Sequence, residues 1–511
     1  MSHTNFSSTE NIVFNYGDFR RASNDCSQNA IRCLAGPRRN SHSTWRNRFE
    51  IYDSRLTGTT VNDRCAASST STRRKIGYAM LSERLPAIRP VRIALFLFTI
   101  LVVCATAQKN PTAVQTEKRW IVIGASMLLD GRGHVLRDSR IVVEGSKIVA
   151  LDPKASPVDY DLRGMTVMPG WIDSHVHITW SFGENGKNAG ADETTPFAAY
   201  QAASNAWLTL MAGFTTVQSV GSPRDVPLRD EIAKGALPGP RILTAVEPLE
   251  GRGEKTGTPD EIRVFIRKQK AAGADLIKIF ASQSIRQGGG MTLSQEQLNA
   301  ACDEANKQGL RTLVHAYKEA VRAATLAGCT EIEHGTMATD DDLKLMAEHG
   351  TYFDPQAGLV IENYLANKER FLDTPGYTEE GFAAMERVLS LDRDIVRRAV
   401  SNPGLKVVFG SDAVAGAHGR NAEEFIDRVR DAGVDPMSAL VSANSLAAEA
   451  LRMGDRIGSI APGYEADIIA LDGDPLKDIT AVRRVTFVMK GGVVYKNVAR
   501  GAIPNYAGVQ P

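Results

Sequence analysis

At 511 residues, 43% hydrophobic and 23% charged, the chain has the composition of a globular protein with room for more than one domain. Its formal net charge of +1 is unevenly placed: residues 1–79 carry twelve Lys/Arg against six Asp/Glu, whereas from Gln108 onward 45 basic residues face 52 acidic ones. A mildly acidic body lacks the footprint of a nucleic-acid binder. Four of the six cysteines precede residue 108, leaving Cys302 and Cys329. Two thiols in so long a body make no disulfide framework and read as small buried residues.

Residues 1–79 show no sustained apolar period and read as a disordered tract or as an extension from a misassigned start codon. Met80 then opens an arginine-bearing stretch, an apolar run from Ile93 to Cys104 and the exit Ala105-Thr106-Ala107. This is the layout of a secretory signal peptide at 80–107, cleaved after Ala107. The run is short for a membrane span, which needs about 20 apolar residues. Bulky Val103 argues against a lipid anchor at Cys104. The expectation is an exported protein, periplasmic or secreted, free of the membrane after cleavage.

From Lys118 short strands alternate with Gly-rich turns (Trp120–Ile123, Met127–Leu129, Ile141–Val143, Ile148–Leu151), and the texture returns at Ala466–Leu471, Val485–Met489 and Val493–Tyr495. Two β-rich ends predict one β-sandwich domain assembled from 108–168 and 456–511. Between them, over 169–455, strand and helix alternate. Strands are expected at Val167–Ile178, Thr215–Val220, Arg241–Val246, Leu276–Ala281, Thr312–Ala316, Glu331–His334, Tyr352–Asp354 and Val407–Ser411. The intervening helices repeatedly end at glycine, as at Gly213, Gly273, Gly309, Gly328 and Gly350. Eight strand–helix units, with no Gly-x-Gly-x-x-Gly after the first strand, predict an α/β fold of the (β/α)8 TIM-barrel type.

In such a barrel the active site gathers at the C-terminal strand ends. The first strand ends in His175-Val176-His177, whose i and i+2 side chains share a face. The fourth carries Lys278 inside an apolar run, where a bare ammonium is costly unless paired or chemically altered. The fifth places His315 and Tyr317 on one face, the sixth ends in His334 and the eighth in Asp412. Four of nine histidines at the tips of strands 1, 5 and 6 is a pattern chance rarely makes.

Together Pro169-Gly170, His175-x-His177, Lys278, His315, His334 and Gly410-Ser411-Asp412 resemble the amidohydrolase superfamily. The likeness is to its imidazolonepropionase-like branch, which includes exported Xaa-Pro dipeptidases and lysine/arginine carboxypeptidases. It covers roughly Lys118 to Asn497. The resemblance implies two divalent metal ions. His175, His177 and Asp412 would bind one, His315 and His334 the other, with Lys278 carboxylated by CO2 to bridge them. Zinc suits these ligands, with manganese, iron or cobalt as alternatives. It further implies hydrolysis of an amide-type C–N bond in a dipeptide, N-acyl amino acid or cyclic amide, with Asp412 as the catalytic proton carrier.

For the small-molecule substrate the sequence offers Tyr317, Arg286 as a carboxylate clamp, and His418 as a pocket-lining residue. After strand 3, where dipeptidase-like relatives have a histidine, this chain reads Glu247-Pro248-Leu249-Glu250-Gly251-Arg252-Gly253-Glu254-Lys255. A mononuclear ring hydrolase or deaminase is the competing reading, opposed by Lys278; a non-catalytic barrel scaffold is another, opposed by the retained ligands. Homo-oligomerisation is left open.

Overall fold

The computed structural model describes residues 120–190 and 194–498; the expected amino-terminal tract and signal peptide lie outside the described residues. Among the described residues no helix is long and apolar enough to cross a membrane.

Both β-rich ends join in one eight-stranded sheet. It contains β1 (Trp120–Leu129), β2 (Val135–Glu144), β3 (Lys147–Leu151), β4 (Tyr160–Asp161) and β5 (Thr166–Pro169) from the front of the chain. The seam is antiparallel, pairing β5 with Ile468–Leu471 from the far end. Ile123, Leu128, Val143, Val167, Ile468 and Phe487 form its own buried cluster. The alternation of β-branched and aromatic residues with polar ones is what a half-buried sheet requires.

The long strand expected at Val167–Ile178 is in fact two. Thr166–Pro169 belongs to the terminal sheet, and β6 (Trp171–Val176) belongs to the parallel layer. The break falls at Gly170, where an added Cβ would overlap the Thr215 side chain. Only glycine lets the chain cross between sheets this close to β7 (Phe214–Ser219).

The remaining strands are β8 (Arg241–Thr244), β9 (Leu249–Glu250), β10 (Leu276–Phe280), β11 (Arg311–Ala316), β12 (Glu331–His334), β13 (Tyr352–Asp354) and β14 (Lys406–Val407). They run parallel in two groups, β6-β7-β8 and β9 through β14. Single contacts tie the groups together. Asp275 N donates to Thr244 O (2.8 Å), Ser174 N to Phe409 O (2.9 Å) and His177 N to Ala413 O (2.8 Å). Helices follow the strands, several opened by reciprocal caps such as Thr258 with Glu261, Ser294 with Gln297 and Thr339 with Asp342. Their apolar faces pack against strand residues in two further clusters around Trp171, Phe214 and Phe409, and around Ile277, Val314 and Ile332.

Two expectations are corrected. The eighth strand, expected over Val407–Ser411, keeps ladder pairing only at Lys406–Val407. Beyond it the chain bends around Gly410, whose Cβ position is filled by the Asp354 carboxylate. Cys302 and Cys329 are buried as expected, but they are bonded to each other, with Cα atoms 5.1 Å apart. The bridge staples the helix Gln295–Lys307 to the approach to β12, a proximity that spacing along the chain does not reveal.

Candidate metal centre and active site

The C-terminal ends of β6, β10, β11 and β12, with the turn after β14, bring six of the sequence-predicted residues together. His175, His177, Lys278, His315, His334 and Asp412 all border one cavity of about 130 Å³. Asp412 Oδ1 lies 3.4 Å from His175 Nε2 and 3.3 Å from His177 Nε2. Lys278 Nζ lies 3.2 Å from His175 Nε2. The rings of His315 and His334 stand edge to face at 4.7 Å, and His334 is 5.4 Å from His175. His175, His177 and Asp412 offer ligand atoms close enough for one ion.

Backbone strain marks the same places. His334 (φ 63°) and Asp412 (φ 49°) both adopt the left-handed conformation that non-glycine residues rarely take. At His334 this ends the strand alternation, so Glu333 and His334, though adjacent, both face His175. Behind Asp412, a buried Asp173 fixes the turn: it accepts from Ser411 N (2.9 Å), Ser411 Oγ (2.5 Å), Asn421 Nδ2 (2.8 Å) and His175 N (3.2 Å). Burial raises Asp173 to about 6 despite these donors.

The electrostatics suit cation binding. Burial, followed by repulsion from Lys278 and neighbouring imidazoles, holds His175 well below its ordinary value. Burial does the same for His315 and brings His334 to about 4. Neutral imidazoles present lone pairs. Burial also lowers Lys278, opposed by Glu333, Asp412 and Asp354. Burial alone would raise Asp412, but the hydrogen bond and charge of His177, with His334 and Lys278, hold it below the usual carboxylate range.

Sequence reasoning missed several residues here. Glu333 Oε2 lies 2.6 Å from His175 Nδ1, both side chains being buried. Asp354 lies beneath, held by Arg428 (3.2 Å), which also binds Glu424 (3.0 Å) and Val408 O (2.7 Å). Trp180, Tyr364, Tyr377 and Asp392 line the same cavity. Tyr364 sits on the helix Leu359–Ala366, within a stretch that shows no clear period; a loop that long was itself a sign of hidden structure.

Of the predicted substrate contacts, Tyr317 lines the cavity, its ring lying parallel to His334 at 5.3 Å. Arg286 also lines it, its guanidinium 4.1 Å from the Tyr377 ring centre and 5.4 Å from Tyr364. His418 does not line it. Its Nε2 lies 3.2 Å from Trp180 O, so the pocket-lining expectation is corrected to a position behind the wall.

Residues 166–495 match the pattern of the amidohydrolase family. The chain belongs to that family. Among similar proteins, the ochratoxinase of Aspergillus niger is 26% identical over 457 residues, covering 77% of this chain and 91% of that one. The imidazolonepropionase of Nocardia farcinica is 24% identical over 398 residues, covering 71% and 92%. A crystal structure of a Xaa-Pro dipeptidase with methionine bound in its active site superposes with TM-score 0.67 at 29% identity, covering 74% of this chain and all of that one. Amidohydrolase family members with this fold act on carbon–nitrogen bonds, and this chain has candidate His/Asp ligands in the corresponding kind of site.

Proposed function

We propose that this protein is a binuclear metal-dependent hydrolase of an amide-type C–N bond in a dipeptide, N-acyl amino acid or cyclic amide. The observation that carries the reading is the convergence of His175, His177 and Asp412 with Lys278, four side chains from three separate strand ends, around His175 Nε2. His175, His177 and Asp412 would hold one divalent ion, zinc by preference, and His315 and His334 the second. The two parallel sheets are read as one closed (β/α)8 barrel, with the terminal sheet as a flanking β-sandwich domain.

Lys278 is buried and its pKa is lowered, which keeps its amine available to add CO2. That addition to the neutral amine forms an N–C bond and releases one proton, leaving a carbamate anion whose oxygens would help hold the two ions. Bound divalent ions would supply Lewis acidity for the substrate carbonyl and acidify water near neutral pH. Asp412 remains ionised and stands in the cavity, so its carboxylate accepts a proton and returns it to the leaving nitrogen. Tyr317 stays a protonated phenol, because burial and the nearby Asp392 and Asp412 raise it, and donates to a substrate oxygen. Arg286 takes a substrate carboxylate at the mouth.

The disulfide between Cys302 and Cys329 is consistent with folding in an oxidising compartment and supports the reading of an exported protein. The test is a hydrolysis screen of the zinc-loaded protein against the three substrate classes, with Asp412→Asn as the blank. Turnover absent from the blank supports the reading; no turnover in any class contradicts it.

A further inference from the structure

Asp392 is unexplained by the chemistry above. It lies on the helix Glu379–Val400, whose other buried positions include Phe382, Met385, Val388, Ile395 and Val396. An ionisable group in that apolar stripe is costly unless something answers its charge. Within the chain, Thr336 Oγ1 donates to Oδ1 at 2.5 Å, a neutral partner. The adjacent cation, Arg393, instead holds Glu362 (3.0 Å) and Asp431 (2.6 Å). Yet the Asp392 side chain borders the cavity, together with Thr336 and Met385. Burial and the Glu424 charge raise it to about 7, against the help of Thr336 and Arg393.

Two oppositely charged side chains, Arg286 and Asp392, border the cavity. Gly381, near the start of that helix, packs against the Arg286 side chain. Asp392 lies about three turns further along and joins Thr336, two residues beyond His334. Tyr317, Tyr364 and Tyr377 line the same cavity, and the Arg286 guanidinium lies against the last two. An aromatic-lined pocket that holds a carboxylate and an arginine on separate elements suits a molecule carrying separated negative and positive charges.

We propose that Asp392 is a specificity residue that binds a cationic group of the substrate, an ammonium or guanidinium, while Arg286 holds its carboxylate. The inference rests on the hydrolase reading for what the cavity is used for, but it makes its own claim about binding.

The test is equilibrium binding of dipeptides to the Asp412→Asn protein kept in excess zinc, with its metal content measured. The asparagine keeps an oxygen donor for the ion but not the proton-carrying carboxylate, which removes turnover from the measurement. Three matched changes each delete one cation: norleucine for lysine at the first position, the same at the second, and acetylation of the α-amine. At least one deletion is expected to weaken binding tenfold or more, and adding Asp392→Asn is expected to abolish that difference. Equal affinity across the set, no binding at all, or a preference that survives Asp392→Asn overturns the proposal. Cation-selective binding alongside a wild-type protein that hydrolyses none of these peptides removes the proposed reaction while leaving the cation site standing.

Discussion

His175 Nδ1 lies 2.6 Å from Glu333 Oε2, while Nε2 of the same ring faces Lys278 at 3.2 Å and Asp412 at 3.4 Å. The contact occupies one ring nitrogen and leaves the other for the cavity. Partners of this kind orient metal-binding histidines, and losing one lowers metal affinity about 10–100-fold. Glu333→Ala is expected to show that loss in a chelator competition, and Glu333→Gln, which keeps an oxygen at the same place, a smaller one. Unchanged affinity in both would mean the contact is incidental.

Asp173 accepts four hydrogen bonds that join β6 to the turn carrying Asp412. Asp173→Ala strands buried donors on Ser411 and Asn421, which are themselves fully buried. A loss of about 3 kcal/mol or more is expected in urea unfolding, from a penalty of about 1–3 kcal/mol for each buried donor left unpaired. A loss below 1 kcal/mol would show that water or a shifted side chain replaces the carboxylate.

His418 has its pKa lowered by burial to about 4, against an ordinary 6.5. The unfolded chain therefore binds a proton there at higher pH than the native one does, so this residue's contribution to stability is present above 6.5 and lost as pH falls toward 4. The shift corresponds to about 3 kcal/mol over that window. His418→Gln is expected to flatten the fall in stability between pH 6.5 and 4 relative to wild type. Parallel curves would refute the assignment.

The Cys302–Cys329 bond closes a loop with a sequence separation of 27. Chain-entropy arguments give such a crosslink about 3–4 kcal/mol. Replacing both cysteines by alanine should lower the denaturation midpoint by a corresponding amount, and a reductant should lower the wild-type midpoint under unfolding conditions while leaving the variant unchanged.

The residues of the candidate metal site were legible because their chemistry and their positions coincide: histidines at strand tips, and a lysine in an apolar strand. Strand alternation correctly put His315 and Tyr317 on one face and Lys278 with Phe280 at the cavity. Glu333 was hidden by the same rule, since alternation sends neighbours to opposite faces and only the positive φ of His334 brings both inward. The eighth strand was read too long because its apolar run is held by single cross-links to Phe353, Ser174 and Ser442 rather than by a ladder. Arg428, Glu424 and Asp354 form a buried ion network assembled from distant segments, and nothing local in the sequence distinguishes them from surface charges. The disulfide was missed for the same reason of distance.

The proposed two-metal site depends on Lys278. The most direct measurement is the metal content per chain of protein prepared with zinc and bicarbonate, for wild type and Lys278→Ala. Two equivalents are expected in the wild type and one or fewer in the variant. Two equivalents in both proteins, or none in the wild type, would contradict the proposed site.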